Sequence, residues 1–220
     1  MADVPYQVTD RRPIGARHWR ISQQTARWMA RRGLSPNGIS VAGMMCGLLA
    51  GGALAATAHA PGWARAAWLA GAAFMQLRLL ANMFDGMVAI ERGKASAVGE
   101  LFNEVPDRVS DTAVLVGAGY AVGGDIVLGY AAACVAMFTA YVRTTGKAAG
   151  APHIFCGPMA KQQRMALMTV LAVYLALAPQ AWQPAWGLMA VGLWVVIVGG
   201  LLTAARRLAR IAAYLRKQPI

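Results

Sequence analysis

Two long stretches of this 220-residue chain contain no Lys, Arg, Asp or Glu, and they restrict the folds open to it. They cover residues 38–64 and 165–205. Each is longer than the roughly 20 apolar residues that a helix needs to cross a bilayer. The second is long enough for two crossings, and the sequence APQAWQPAW at residues 178–186 indicates a turn between them. With a mean hydropathy of +0.46, the chain is predicted to be an integral membrane protein.

The apolar stretches predict an all-α fold, an integral membrane bundle of six transmembrane helices. The expected crossings are residues 37–59, 64–91, 98–122, 126–146, 160–179 and 185–206. The predicted organisation is an N-terminal segment (1–35), a six-helix membrane domain (36–213) and a short tail (214–220).

Residues 14–34 precede the first crossing and suggest an amphipathic helix. Ile14, Ile21, Trp28 and Met29 recur on one side of such a helix, with arginines elsewhere. This pattern is typical of a helix lying on the cytoplasmic leaflet. A disordered basic tail is the alternative.

The net charge of +12 is concentrated at the ends of the apolar stretches. Seven arginines precede the first stretch and five Lys or Arg follow the last. Basic residues at these boundaries set topology and contact anionic lipids. We therefore predict a multi-pass protein with both termini in the cytoplasm, membrane lipids as partners and no nucleic-acid partner. No removable signal peptide is expected.

The first crossing contains three glycines at four-residue steps, Gly43, Gly47 and Gly51. Small residues on one helix edge allow a neighbouring helix to approach closely. We interpret this edge as a packing surface, with a ligand surface as the alternative.

Acidic residues are concentrated between the second and third crossings. Six of the nine in the chain lie within residues 82–111. Positions three or four apart share a helix face, so two polar rows are expected, and an antiparallel hairpin would bring them together. The rows are Arg78, Asn82 and Asp85, and Asn103, Asp107 and Asp111, with Glu100 and Glu104 nearby.

Facing carboxylates at membrane depth repel each other and are costly unless they are paired or functional. A hard divalent cation such as Mg²⁺ would relieve the repulsion, because it takes oxygen ligands and often keeps substrate phosphates in its shell. The alternative is a salt-bridge network in which Arg78, Arg92 and Arg108 pair with the acids.

The same segment resembles the signature of the CDP-alcohol phosphotransferase superfamily, D-x2-D-G-x2-A-R followed by G-x3-D-x3-D. Asp85, Gly86 and Ala89 match the first half, and Gly99 and Asp107 match the second at the family's spacing. The sequence LSPNGIS at residues 34–40 resembles the family's P-N-x-x-T, with Ser40 in place of Thr.

This chain departs from the signature at three positions. Asn82 and Asn103 replace the first and third aspartates, and Ile90 replaces the arginine. A bacterial subgroup has a similar pattern, including a glutamate after the second Asn and a trailing Ser-Asp, as in NEVPDRVSD. The resemblance therefore suggests a specialised enzyme of a bacterial inner membrane.

The resemblance implies a reaction that moves a substituted phosphate from a CDP-alcohol, here CDP-diacylglycerol, to an alcohol with release of CMP. It implies Mg²⁺ or Mn²⁺ held by Asp85 and Asp107, with Asn82 and Asn103 as weaker ligands. Asp107 is a ligand or the catalytic base. We add Asp111 as a further ligand or displaced base, because it lies one helical turn beyond Asp107.

The remaining site predictions concern substrates. The resemblance implies a nucleotide site at the cytoplasmic face formed by Ser40, Arg78, Asn82, Asp85, Gly86, Ala89 and Gly99. Helix packing is the alternative for the small residues, and pairing with Asp107 is the alternative for Arg78. An alcohol or phosphorylated polyol would bind Arg108, Arg143, Lys161 and Arg164. Family members are commonly homodimers.

Two other functional classes are open at this point. One is a catalytically impaired relic that binds lipid or nucleotide without turnover, because two aspartates are lost. The other is a small transporter that uses the acidic cluster as a cation site. Transport would require polar residues along the whole path, but residues 66–77 and 113–124 are uncharged and mostly apolar.

Overall fold

A computed structural model describes residues 15–93 and 97–217, and these residues form a helical bundle without strands. This confirms the all-α prediction. The helices are α1 (Arg20–Arg31), α2 (Pro36–His59), α3 (Ala64–Glu91), α4 (Ala97–Tyr120), α5 (Ile126–Ala148), α6 (Lys161–Leu177) and α7 (Leu188–Leu215).

Three of the described helices, α2, α5 and α7, are long and apolar enough to cross a membrane. The other predicted crossings coincide with α3, which carries the first polar row, α4, which carries the second, and α6, which has only 17 residues. The helix α7 continues to Leu215, well beyond the predicted end of the last crossing at residue 206. The arrangement of six crossings stays a prediction.

The helix α2 organises the first half of the bundle. Both α3 and α4 pack along α2 but make few contacts with each other. The helix α5 packs against α4 and α7, and α6 packs against α3. The predicted meeting of the two polar rows is confirmed by side-chain contacts, although α3 and α4 pack mainly along α2 and not along each other.

The glycine edge explains how α2 packs so closely. A Cβ atom added to Gly47 would lie 2.5 Å from the Cβ of Ser110, and one added to Gly51 would lie 2.2 Å from the carbonyl oxygen of Ala113. At Gly43 the nearest atom would be the Cβ of Ala81, at 2.8 Å. These distances confirm the packing interpretation.

The bundle separates an apolar end from a polar end. The buried apolar cluster includes Trp68 and Met75 of α3 and Val114 and Leu115 of α4. The polar row of α3 lies in its last turns and the polar row of α4 in its first turns. Both rows therefore lie at the same end of the bundle. The predicted split of these helices is confirmed.

The helix α1 packs against α3 through its buried Ser22 and Ala26. Ile21 and Trp28 are 76% and 52% exposed. Arg92, which directly follows α3, binds the turn between α1 and α2. Its Nη1 donates to the carbonyl oxygens of Gly33 and Leu34, at 2.9 and 2.8 Å. The alternative salt-bridge network included Arg92, but among the described residues this side chain binds the two carbonyl oxygens and pairs with no acid. The interfacial position of α1 stays a prediction, and Ile14 lies outside the described residues.

Gly51→Ala should destabilise the bundle because its new methyl group would overlap the backbone of Ala113. Overpacking of this kind costs about 1–3 kcal/mol. The neighbouring Gly52→Ala is the matched control, since a Cβ there would meet nothing within 4 Å. We expect a lower thermal midpoint for Gly51→Ala in detergent, measured by differential scanning fluorimetry. Equal midpoints for the two variants would contradict the close packing of α2 on α4.

Candidate active site

A cleft opens at the polar end of the bundle, where α2, α3 and α4 meet. The helical spacing of α3 puts Arg78, Asn82 and Asp85 on one face, as predicted. The lining residues are Ser40, Gly43, Met44, Arg78, Asn82, Asp85, Asn103, Pro106 and Asp107. The cleft therefore contains four predicted nucleotide-binding residues and four predicted metal ligands, with Asn82 and Asp85 in both groups. Asp107, one of the ligands, is also a candidate base.

Asp85 is held in place by α2. The hydroxyl of Ser40 donates to Oδ2 of Asp85 over 2.7 Å, and both residues are buried. The carbonyl oxygen of Pro36 lies 3.2 Å from the same hydroxyl oxygen. Since Asp85 forms none of the ion pairs found among the described residues, it is the acid of the cleft that is left to bind a cation.

The two asparagines of the signature bind each other. Nδ2 of Asn82 donates to Oδ1 of Asn103 over 2.6 Å, which joins α3 to α4. Oδ1 of Asn82 in turn accepts a hydrogen bond of 2.8 Å from Nζ of Lys161. The first residue of α6 therefore reaches the cleft. The amide orientations follow from these donors and acceptors.

Asp107 forms ion pairs with two basic side chains. Its Oδ1 pairs with Arg78 and its Oδ2 pairs with Lys161. The sequence left two roles open for Arg78, and the structure shows the pair with Asp107. Arg78 is only 2% exposed, and its Nε and Nη1 have no hydrogen-bond partner among the described residues.

Asp111 lies one turn deeper and belongs to a different pair. Nη2 of Arg164 lies 2.7 Å from Oδ2 of Asp111, and Nη1 donates to the carbonyl oxygen of Met159 over 3.0 Å. Both members of the pair are buried, and neither lines the cleft. Asp111 as base or ligand, and Arg164 as an acceptor-binding residue, stay predictions.

Two further basic residues, Arg108 and Arg143, lie beside the acidic residues of α4. Arg108 lies 3.6 to 3.9 Å from carboxylate oxygens of Glu104, Asp107 and Asp111. Arg143 of α5 pairs with Glu104 and lies over the ring of Phe155. The salt-bridge network weighed as the alternative is therefore present through Arg78 and Arg108, with additional partners from α5 and α6.

The small signature residues lie beyond the cleft. Gly86 and Ala89 occupy the next turns of α3, and Gly99 lies in the first turn of α4. The side chain of Glu100 is not among those that the structure describes. Sequence reasoning did not select Met44 and Pro106, which line the cleft, because an apolar side chain and a proline carry no chemical signal of their own.

The donor atoms of the cleft can be tested against the metal that the resemblance implies. Among the side chains that the structure describes, which exclude Glu100, no three His, Cys, Asp or Glu lie close enough to hold one ion. One carboxylate, Asp85, and the amide oxygens of Asn82 and Asn103 fit a hard cation that keeps water or phosphate oxygens in its shell. They do not fit an ion held by four carboxylates.

Comparison with known proteins decides the family. The sequence profile described as CDP-alcohol phosphatidyltransferase matches residues 34–209. The chain belongs to this family. A phosphatidylinositol phosphate synthase of Streptomyces avermitilis is 26% identical over 198 residues, which cover 87% of this chain and 78% of that synthase.

Solved structures of the phosphatidylinositol phosphate synthase of Mycobacterium tuberculosis share this family member's fold. The structure with CDP-DAG bound has a TM-score of 0.71 at 23% identity, covering 88% of this chain and 94% of that one. The complex with manganese and citrate has a TM-score of 0.72 at 21% identity, covering 90% and 93%.

Arg164→Met should destabilise this transferase-family protein strongly, because it leaves the charge of Asp111 buried without its partner. Breaking a buried pair typically costs about 3–5 kcal/mol. The double variant Arg164→Met/Asp111→Leu should recover much of the loss. Thermal midpoints in detergent test this, with the exposed Arg206→Met as control. A double variant no more stable than Arg164→Met would contradict the pairing.

Proposed function

We propose that this protein transfers a phosphatidyl group from CDP-diacylglycerol to an alcohol and releases CMP in phospholipid biosynthesis. The observation that carries the proposal is the cleft in which Ser40, Arg78, Asp85 and Asp107 meet within the matched family region. By the distribution of positive charge, the cleft opens to the cytoplasm from a bacterial inner membrane, with six crossings and both termini inside.

The donor would bind with its pyrophosphate in the cleft. Arg78 is well suited to this role, because its Nη1 has no hydrogen-bond partner among the described residues and can donate to a phosphate oxygen. Gly86, Ala89 and Gly99 would let the cytidine approach the helix ends closely. Support comes from the mycobacterial synthase, which was solved with CDP-DAG bound.

The acceptor hydroxyl oxygen would attack the phosphorus that carries the diacylglycerol. A bond forms to that phosphorus, the phosphorus–oxygen bond to CMP breaks, and the hydroxyl proton passes to a carboxylate. Asp107 is better placed than Asp111 to take this proton, since Asp107 lines the cleft and Asp111 does not.

The cofactor of this proposal is Mg²⁺ or Mn²⁺ beside Asp85 and the amide oxygens of Asn82 and Asn103, each of which keeps a second lone pair besides the hydrogen bond that it accepts. When bound, the cation neutralises charge on the pyrophosphate. The manganese in a structure of the mycobacterial synthase supports this part of the proposal.

The acceptor would bind on the side of the cleft where basic residues surround the acids. Among the side chains that the structure describes here, five are basic (Arg78, Arg108, Arg143, Lys161 and Arg164) and four are acidic (Asp85, Glu104, Asp107 and Asp111). A positive balance favours a phosphorylated polyol over a neutral alcohol. The names of the relatives, phosphatidylinositol phosphate synthases, agree with this choice.

Purified protein should release CMP from CDP-diacylglycerol when a suitable acceptor and Mg²⁺ or Mn²⁺ are present. Asp85→Ala should reduce the rate by about 10–100-fold through lost cation binding, and Asp107→Ala by about 100-fold or more through loss of the base. Glu91→Gln is the matched control, because Glu91 ends α3 but lies outside the cleft. Chromatography of the released CMP gives the rates.

The acceptor follows from the same assay with glycerol phosphate, inositol, inositol phosphate, serine and simple polyols. Tight binding of CDP-diacylglycerol without CMP release from any acceptor would support the relic. No donor binding at all would contradict the proposal. The homodimer expected from the family is tested by light scattering of the same preparation.

A further inference from the structure

Lys161 connects the two ends of the family signature. Its Nζ donates to Oδ1 of Asn82 over 2.8 Å and pairs with Oδ2 of Asp107. By the resemblance, these are the first and last positions of a quartet that holds divalent metal in the family. An ammonium from α6 therefore occupies the space between α3 and α4 that a cation bridging those two positions would fill.

The charge of the neighbouring groups suits an ammonium better than a divalent ion. Asn82 and Asn103 are neutral, so Asp107 is the only anion that Lys161 contacts among the described side chains, and Arg78 also pairs with Asp107. A divalent ion there would lie beside a guanidinium and a single shared carboxylate. The divalent ion and the guanidinium of Arg78 would repel each other strongly, because little water is present to screen their charges.

Arg78 does not fulfil the same role, although it also pairs with Asp107. Its contacts are with Asp107 and not with Asn82. Lys161 is a compact point charge with three donors, two of which are used by Asn82 and Asp107. The side chain is 13% exposed, so its third N–H is available to a phosphate oxygen of a substrate.

We propose that Lys161 is a built-in cation that takes the place of a divalent metal ion between Asn82 and Asp107. Asp85 is then the one carboxylate of the cleft left to bind a metal, and the chain holds no more than one ion. The inference rests on the proposed function for the identity of the cleft, but its consequence for metal binding is measurable without turnover.

Direct Mn²⁺ binding tests the proposal. We would titrate Mn²⁺ into purified protein in detergent and measure the free ion by electron paramagnetic resonance. The variants are Asn82→Asp, Lys161→Gln, and the double variant, with the exposed Lys217→Gln as a matched lysine control. The double variant should bind Mn²⁺ at least about tenfold more tightly than the unmodified chain. Lys217→Gln should not differ from the unmodified chain.

Thermal midpoints with and without Mn²⁺ provide a second readout that does not depend on activity. A ligand that binds only the folded state raises its stability. We expect a larger Mn²⁺-dependent rise for the double variant than for the unmodified chain.

Two results would overturn the inference. One is more than one Mn²⁺ bound per unmodified chain, which decides the matter even if the variants do not fold. The other is a folded double variant that binds Mn²⁺ no more tightly than the unmodified chain. CMP release from the same preparations separates the two proposals, since its absence beside the expected Mn²⁺ pattern would reject the transferase and not the role of Lys161.

Discussion

The carboxylate of Asp107 is the interaction on which the polar end of the bundle depends. It lies on α4, pairs with Arg78 of α3 through one oxygen and with Lys161 of α6 through the other. Because α3 and α4 make few direct contacts, these side chains hold their polar ends together. Removing one partner from a buried pair costs far more than the pair itself contributes. The same residues therefore serve both the fold and the proposed chemistry.

Packing and chemistry are linked a second time through α2. The glycine edge brings its backbone against α4, and the same helix carries Ser40, whose hydroxyl binds Asp85. Gly43 belongs to both features, because it faces Ala81 of α3 and also lines the cleft. A larger residue on this edge would move α2 outward and change the position of Ser40. The site is consequently a product of close helix approach as well as of the polar residues.

The family resemblance and the structure together describe an unusual balance of charge. The family pattern has a quartet of carboxylates, whereas this chain has two amides and two acids, one of which is bonded by two cations. Basic side chains on α4, α5 and α6 pair with Glu104 and Asp111, whereas Asp85 forms no ion pair among the described residues. A cleft in which most acids are already paired with basic side chains needs less metal to accept an anionic pyrophosphate, which is the physical basis for the proposal that Lys161 takes the place of a metal ion.

The sequence by itself determined the helical class, the positions of α2 to α6 within a few residues, the start of α7 and the two polar rows, because apolar length and helical periodicity are local properties. It also determined the family through the spacing around Asp85 and Asp107. Only the tertiary structure decided which base pairs with which acid. Lys161 and Asn82 lie 79 positions apart, and their contact depends on how α6 packs on α3. Likewise, no local pattern shows that α3 and α4 pack on α2 instead of on each other, since that choice depends on which surfaces approach most closely.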